Sequence, residues 1–108
     1  MDEIKQWDVW YAEVKFQEGD QSKDRPVVVV DPQEMVVVAL KVTSHPPRHR
    51  WGEYEIIRWE SAGLEKESTV QVHEHLYLQP TDFRRKAGHL QPIDISAIRD
   101  LLFQFGDV

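Results

Sequence analysis

Two short apolar runs close together constrain the fold of this chain more than any other feature. The first extends from Val27 to Val30 and the second from Met35 to Leu40, and the polar segment Asp31-Pro32-Gln33-Glu34 separates them. Asp and Pro in such a segment are typical of a tight turn. Valine at this density favours strands that are buried on both faces, as in a closed barrel. Both runs are too short to cross a bilayer. The sequence therefore predicts a buried hairpin, with the second strand continuing to Thr43.

Weaker strand patterns occur on both sides of this hairpin. The segment from Trp7 to Phe16 alternates imperfectly, and its change of phase near Ala12 predicts a bend or a bulge. Further short strands are predicted at Glu53 to Ile57 and at Ser68 to His73, followed by another at Leu76 to Leu78. Several short strands at this spacing favour a small barrel.

The end of the chain changes to helical periodicity. Pro92 is suited to a first helical position, and Asp94 complements the positive N-terminal end of the helix dipole. Four apolar residues then form one face at helical spacing, namely Ile98, Leu101, Leu102 and Phe105. We predict a single domain over residues 1–108, mainly β, with a C-terminal α-helix.

The composition narrows the possible functions. The chain contains no cysteine, which excludes disulfides, thiolate zinc sites and cysteine nucleophiles. Its first residues lack the basic and apolar parts of a signal peptide, so a cytoplasmic location is predicted. The net charge of -6 disfavours nucleic acid, but the segment from Lys41 to Gly52 has no acidic residue, and Arg84-Arg85-Lys86 is a second basic group.

The predicted hairpin brings two candidate phosphate-binding elements together. Arg25 precedes Pro26, which restricts its backbone to extended conformations and makes its guanidinium a pre-set fork for phosphate. Thr43 and Ser44 end the next strand, and pairing of Val30 near Met35 would put Arg25 near positions 40–43. A plain surface arginine and an ordinary Ser/Thr turn cap are the alternatives at these positions.

Histidines and tryptophans supply further candidates. His45 and His49 are suited to general acid–base work, or are ordinary loop residues. His73 and His75 share a strand face, but spacing offers no further ligand for zinc, so no metal or cofactor is predicted. Trp51, in a loop, is a candidate for stacking on bases, whereas Trp7 and Trp10 are expected to pack against the core.

The order of several motifs resembles the MazF/PemK family of toxins from type II toxin–antitoxin systems. The segments that carry the resemblance are the opening DVWYAEV, KDRPVVVV ending at Val30, ALKVTS ending at Ser44, Gly63-Leu64 before Ser68-Thr69-Val70, and Ala87-Gly88-His89-Leu90. The family commonly has Gly where Trp7 stands. Its best-known members carry a Glu in a longer first loop, where Asp20 is the nearest acid here.

The resemblance implies an SH3-like barrel that forms a homodimer, cleaves single-stranded RNA without a metal, and is neutralised by an antitoxin protein. Arg25 and Thr43 match the family's active residues. We expect the RNA-binding residues to be Asp20, Lys23, Ser44, His45, Arg48, Arg50 and Trp51. The alternative is a catalytically silent SH3-like module that binds nucleic acid or a peptide.

Overall fold

The computed structural model describes residues 3–15, 22–44 and 52–104, and these form an antiparallel sheet followed by one α-helix. The strands are β1 (Asp8–Lys15), β2 (Ser22–Pro32), β3 (Val37–Thr43), β4 (Glu53–Glu55), β5 (Thr69–Leu78) and β6 (Phe83–His89), and the helix is α1 (Pro92–Gln104). Their order across the sheet is β4-β5-β3-β2-β1-β6. Within the described residues β4 and β6 do not pair with each other, so this barrel-type sheet is open. The predicted class, mainly β with a C-terminal helix, is confirmed. In the same part of the chain, no helix is long and apolar enough to span a membrane.

The valine-rich hairpin forms, but its boundaries differ from the prediction. Val27, Val28 and Val29 are completely buried, as the run of valines indicates. The first strand, however, continues through Pro32, and β3 begins only at Val37. A register shift between Val29 and Asp31 accounts for the difference, because it pairs Val29 with Ala39 and Pro32 with Val37. The predicted pairing of Val30 near Met35 is therefore wrong, and Met35 is instead exposed.

Apolar residues are buried on both faces of the sheet. On one face the strands pack against α1 and the segment after β4, through Val9, Val28, Leu40, Val42, Ile56, Leu64, Val70, Val72, Ile98 and Leu102. The other face buries Trp10, Ala12, Val14, Val27, Val29, Val37, Ala39, Leu78 and Phe83. The rings of Trp10 and Phe83 meet edge to face, with centroids 5.8 Å apart. Because β1, β2 and β3 contribute to both clusters, the centre of the sheet is held from two sides.

Helix α1 agrees with its prediction at its start, whereas strands β5 and β6 differ from the predicted strands. Helix α1 begins at Pro92 as predicted, and Ile98 and Leu102 are buried on its inner face. Phe105 lies outside the described residues. The two predicted segments after Ser68 are one strand, β5, with a register irregularity opposite β3. Strand β6 was not predicted, because only its first residue is buried and its next three are exposed and basic.

The bulge predicted near Ala12 is not in β1, which pairs with β2 without a break, but the pairing of β1 with β6 is irregular at this point. The register shifts between Val9 and Trp10 and again between Tyr11 and Ala12. At both points the extra residue belongs to β6, being Ala87 at the first and Arg84 at the second. Because of these irregularities Arg85 pairs with Tyr11, whereas the neighbouring Arg84 is an extra residue of β6 without a register partner on β1.

Candidate functional site

Arg25 and Thr43 both lie at the open end of the β2–β3 hairpin, Arg25 near the start of β2 and Thr43 at the end of β3. The register of the two strands pairs Val28 with Leu40 and Val27 with Lys41. The β2–β3 pairing ends at Val27 and Lys41, and an extension of its register by two residues would place Arg25 opposite Thr43. On its other side Arg25 pairs with Ala12 of β1, so it lies in the middle strand of three. Its side chain is exposed and that of Thr43 is half-buried.

A groove of about 310 Å³ opens beside this end of the hairpin. Its apolar floor consists of Tyr11, Pro26, Val42 and Leu64. Tyr11 pairs with Pro26 in the sheet, and the β2–β3 register continues the same row to Val42. A row across three neighbouring strands therefore forms the floor, and this row is fixed by backbone pairing.

Polar groups surround that floor. They are Asp24, Arg25, Ser44, Glu65, Lys66 and Ser68. The first three come from the hairpin, and the last three come from the segment that leads from β4 to β5. The rim thus combines two cations, two carboxylates and two hydroxyls, which suits a polar ligand better than a small apolar one.

The basic group of β6 lies beside this rim. The Arg84 guanidinium makes an ion pair with Glu13 and lies 3.8 Å from a carboxylate oxygen of Asp24. The Arg85 guanidinium lies 4.0 Å from the centre of the Tyr11 ring and 3.4 Å from a carboxylate oxygen of Glu65. Sequence reasoning recognised this basic group but not its position, because β6 itself was not predicted.

The structure describes only some of the RNA-binding residues that the sequence predicts. Ser44 is exposed and lines the groove. Lys23 lies in β2, where its backbone pairs with Val14. The remaining candidates lie outside the described residues, namely Asp20, His45, Arg48, Arg50 and Trp51. Sequence reasoning missed Tyr11 and Lys66 as members of the groove, since neither belongs to a chemical motif.

The histidine pair of β5 has no metal-binding arrangement around it in the described segments. His73 lies 3.8 Å from Glu74, which also lies 3.8 Å from Lys41. Among residues 3–15, 22–44 and 52–104, no group of three His, Cys, Asp or Glu side chains is placed to hold a metal ion.

One titratable cluster lies where β1 and β6 meet, around the fully buried Asp8. Its Oδ1 is 2.9 Å from Nδ1 of His89, and its Oδ2 accepts hydrogen bonds from the Lys5 amide at 2.9 Å and from the Trp10 indole at 3.3 Å. Burial raises the pKa of Asp8, but these hydrogen bonds and nearby Lys86 outweigh it, so the net pKa lies below its ordinary value. Asp8 is therefore an ionised carboxylate at neutral pH, and its hydrogen bonds stabilise the start of β1.

The fold is that of MazF-type toxins. The structure is similar to that of an endoribonuclease in complex with its cognate antitoxin from a mycobacterial species, with a TM-score of 0.70, 15% identity and 96% of each chain covered. It is also similar to the Mycobacterium tuberculosis toxin MazF-mt6, with a TM-score of 0.70, 18% identity, and 94% of this chain and 97% of that chain covered.

The sequence itself also matches a family model. Residues 5–105 match the PemK-like, MazF-like toxins of type II toxin–antitoxin systems. The chain belongs to this family, which confirms the resemblance seen in its motifs. A comparison with curated proteins gave no match.

Proposed function

We propose that this toxin is a metal-independent endoribonuclease that cleaves single-stranded RNA in the groove beside the β2–β3 hairpin. The observation that carries the proposal is the position of Arg25, which lines a polar groove at the open end of the hairpin, where an extension of the strand register puts Thr43 opposite it. In the proposed site the Arg25 guanidinium and the Thr43 hydroxyl are two donors for one phosphate. The similar mycobacterial structure, described as an endoribonuclease, supports the same activity.

In this reaction the ribose 2′-oxygen forms a bond to the adjacent phosphorus, and the bond from phosphorus to the 5′-oxygen breaks. The 2′-hydroxyl loses its proton and the departing 5′-oxygen gains one, which leaves a 2′,3′-cyclic phosphate and a 5′-hydroxyl. Negative charge grows on the phosphoryl oxygens in the transition state. Arg25 stabilises this charge and Thr43 donates a hydrogen bond to it. The guanidinium retains its protons at neutral pH, so its role is electrostatic.

The family and the same structural neighbour support a proposal about the partner proteins of this chain. That neighbour is held by its cognate antitoxin. We propose that this chain also binds a cognate antitoxin, which is encoded beside it and neutralises it, and that the chain forms a homodimer. A short upstream reading frame for a DNA-binding protein, whose product suppresses the toxicity of this chain, is the expected finding.

The decisive experiment is RNA cleavage with end-group analysis. Wild-type protein should release 2′,3′-cyclic phosphate ends in the presence of EDTA, and Arg25→Ala should lower the rate at least a hundredfold with an unchanged circular dichroism spectrum. Arg99→Ala, which removes an exposed cation of α1, is the matched control. RNA left intact by wild-type protein, with no toxicity on expression, would refute the proposal. Binding that is lost in Trp51→Ala but unchanged in Thr43→Ala, without cleavage, would establish the silent binding module instead.

A further inference from the structure

An aromatic ring holds the guanidinium of Arg85 at the edge of the groove. The guanidinium carbon lies 4.0 Å from the centre of the Tyr11 ring, a cation–π distance. In the sheet Tyr11 is flanked by Pro26 on β2 and by Arg85 on β6. Tyr11 and Pro26 are also part of the groove floor. Arg85 therefore extends the row of floor residues onto the edge strand.

Arg85 and its neighbour Arg84 differ in their partners. Arg84 contacts the carboxylates of Glu13 and Asp24 and donates a hydrogen bond to the carbonyl of Thr81 at 3.0 Å. Within the described part of the chain, the one carboxylate near Arg85 is that of Glu65, at 3.4 Å. The side chains of Arg85 and Glu65 are well exposed, at 59% and 71% respectively. Such an ion pair contributes little to stability, so exchange of its carboxylate for another anion has a small cost.

The donors of Arg85 remain available while the ring orients them. A guanidinium has five N–H donors in a fixed plane, and stacking on an aromatic face uses none of them. The same planar fork fits phosphate oxygens in a bidentate manner. The side chain is thus an oriented anion-binding group whose present acceptor is an exposed carboxylate.

The position of Arg85 suits a phosphate next to the one at Arg25. Strand β6 is two strands away from β2, which separates the two backbones by about 10 Å. The floor row runs from Arg85 through Tyr11 to Pro26, the residue that follows Arg25 in β2, and Arg25 also lines the groove. One strand of nucleic acid that crosses the floor would thus meet both guanidinium groups.

We propose that Tyr11 and Arg85 form a second phosphate-binding subsite of the groove, which takes a backbone phosphodiester of single-stranded RNA flanking the scissile one. Glu65 occupies the subsite in the free protein and is displaced by the RNA. This inference rests on the proposed function, because it concerns the same groove and the same substrate class. The subsite positions the RNA, whereas Arg25 and Thr43 act at the reacting phosphate.

Binding measured by fluorescence anisotropy tests the subsite separately from cleavage. The probe is a labelled, randomised, fully 2′-O-methylated RNA, which lacks the attacking hydroxyl and stays intact. Arg85→Ala should weaken binding about fivefold at low salt and reduce the slope of log K against log salt by about 0.7, the value for one phosphate contact on a single strand. Arg99→Ala removes the same charge outside the groove and should leave both quantities unchanged.

Two further variants test the role of Glu65 and the need for a planar fork. Glu65→Gln should tighten binding about threefold, and this gain should disappear when it is combined with Arg85→Ala, since the carboxylate acts through that guanidinium. Arg85→Lys keeps the charge and the fold but loses the stacked fork, so it should recover less than half of the lost binding free energy. Thermal melting of each variant checks folding.

The outcomes separate this inference from the proposed function. If Arg85→Ala and Arg85→Lys both behave like Arg99→Ala, while Arg25→Ala abolishes cleavage, the subsite is refuted and the proposed function stands. If binding depends on Arg85 as described but wild-type protein never cleaves RNA, the subsite stands and the nuclease is refuted. If wild-type protein does not bind the probe at all, the subsite is refuted as well.

Discussion

The carboxylate of Asp94 accepts a hydrogen bond from the hydroxyl of Tyr54 at 2.5 Å, although 40 positions separate the two residues in the sequence. The same carboxylate accepts hydrogen bonds at 2.9 Å from the backbone amides of Ile57 and Arg58. Asp94 is fully buried near the start of α1, so a single side chain fastens the helix to the turn that follows β4. Burial and the bond to Asp94 raise the pKa of Tyr54 above its ordinary range, which keeps its hydroxyl a donor.

Replacement of this carboxylate should destabilise the protein strongly. Asp94→Ala leaves two amides and one hydroxyl without their acceptor, and we expect a loss of about 3 kcal/mol in the free energy of unfolding. Tyr54→Phe, which removes one donor, should cost about 1 kcal/mol. Asp100→Asn, an exposed position of the same helix, is the control and should stay within about 0.5 kcal/mol. Urea unfolding measures all three, and equal losses for Asp94→Ala and Asp100→Asn would contradict the assignment.

Asp94 also illustrates what the sequence can and cannot predict. Its place in the first turn of α1 is readable from Pro92 and the apolar spacing, and this predicts a favourable interaction with the helix dipole. Its partners Tyr54, Ile57 and Arg58 are not readable, because their approach depends on how α1 packs on the sheet. Local periodicity carries no information on such distant contacts.

The same reasoning applies to the strands and the groove. The hairpin is predicted from its dense valines and the turn residues between them, but its register shift at Val30 has no local signal, so the predicted pairing is wrong by several residues. Strand β6 was missed because its exposed basic residues lack alternation. Arg85 therefore looked like part of a solvated patch, and its contact with Tyr11 appears only once the sheet order is known.

The buried Asp8 should make stability depend on pH in the acid range. Its pKa in the folded protein lies below the ordinary value of 3.8, so its contribution is complete above that value and is lost as pH falls through the folded pKa. Asp8→Asn should therefore cost about 1 to 2 kcal/mol at pH 7, and the difference from wild type should shrink as the pH falls below 3.8 and through the folded pKa. Urea unfolding of both proteins between pH 7 and pH 2 measures this. A difference that grows as the pH is lowered would refute the assignment.

Two glycines allow the segment after β4 to touch β6. A Cβ atom on Gly63 would lie 2.0 Å from the carbonyl oxygen of Ala87, and one on Gly88 would lie 2.3 Å from that of Ala62. Gly63 also has a φ of +90°, which side chains rarely adopt. This one contact explains both the Gly-Leu and the Ala-Gly-His-Leu motifs, and it joins the Glu65 side of the groove to the Arg85 side.

Alanine at either glycine should force these backbones apart. We expect Gly88→Ala, where the φ angle itself is ordinary, to cost at least about 3 kcal/mol through the clash. Gly63→Ala should cost more, because it adds backbone strain. Ser61→Ala, an exposed position in the same turn, is the control. Thermal melting and soluble yield measure the effect, and a Gly88→Ala protein as stable as Ser61→Ala would contradict the close contact.

Trp7 has a φ of +70°, the left-handed conformation that favours glycine. The backbone is held there because the Trp7 amide donates to the Val29 carbonyl at 2.7 Å, and the Leu90 amide donates to the Trp7 carbonyl at 3.0 Å. Glycine would adopt this conformation without strain. Trp7→Gly and Trp7→Ala both lose the indole, yet the glycine variant should be the more stable by about 1 kcal/mol. The reverse order in urea unfolding would show that the strain is absent.

Thr43 tests the proposed cleavage chemistry most directly, because the effects of its hydroxyl and of its packing can be separated by substitution. Thr43→Ser keeps the hydroxyl and should retain cleavage within about threefold. Thr43→Val keeps the shape, removes the proposed donor to the phosphoryl oxygen, and should lower the cleavage rate about a hundredfold. Binding of the 2′-O-methylated RNA should change little in either variant, since the bond to Thr43 strengthens as charge develops in the transition state. If Thr43→Val lowers binding and cleavage equally, Thr43 acts in RNA binding and not in transition-state stabilisation.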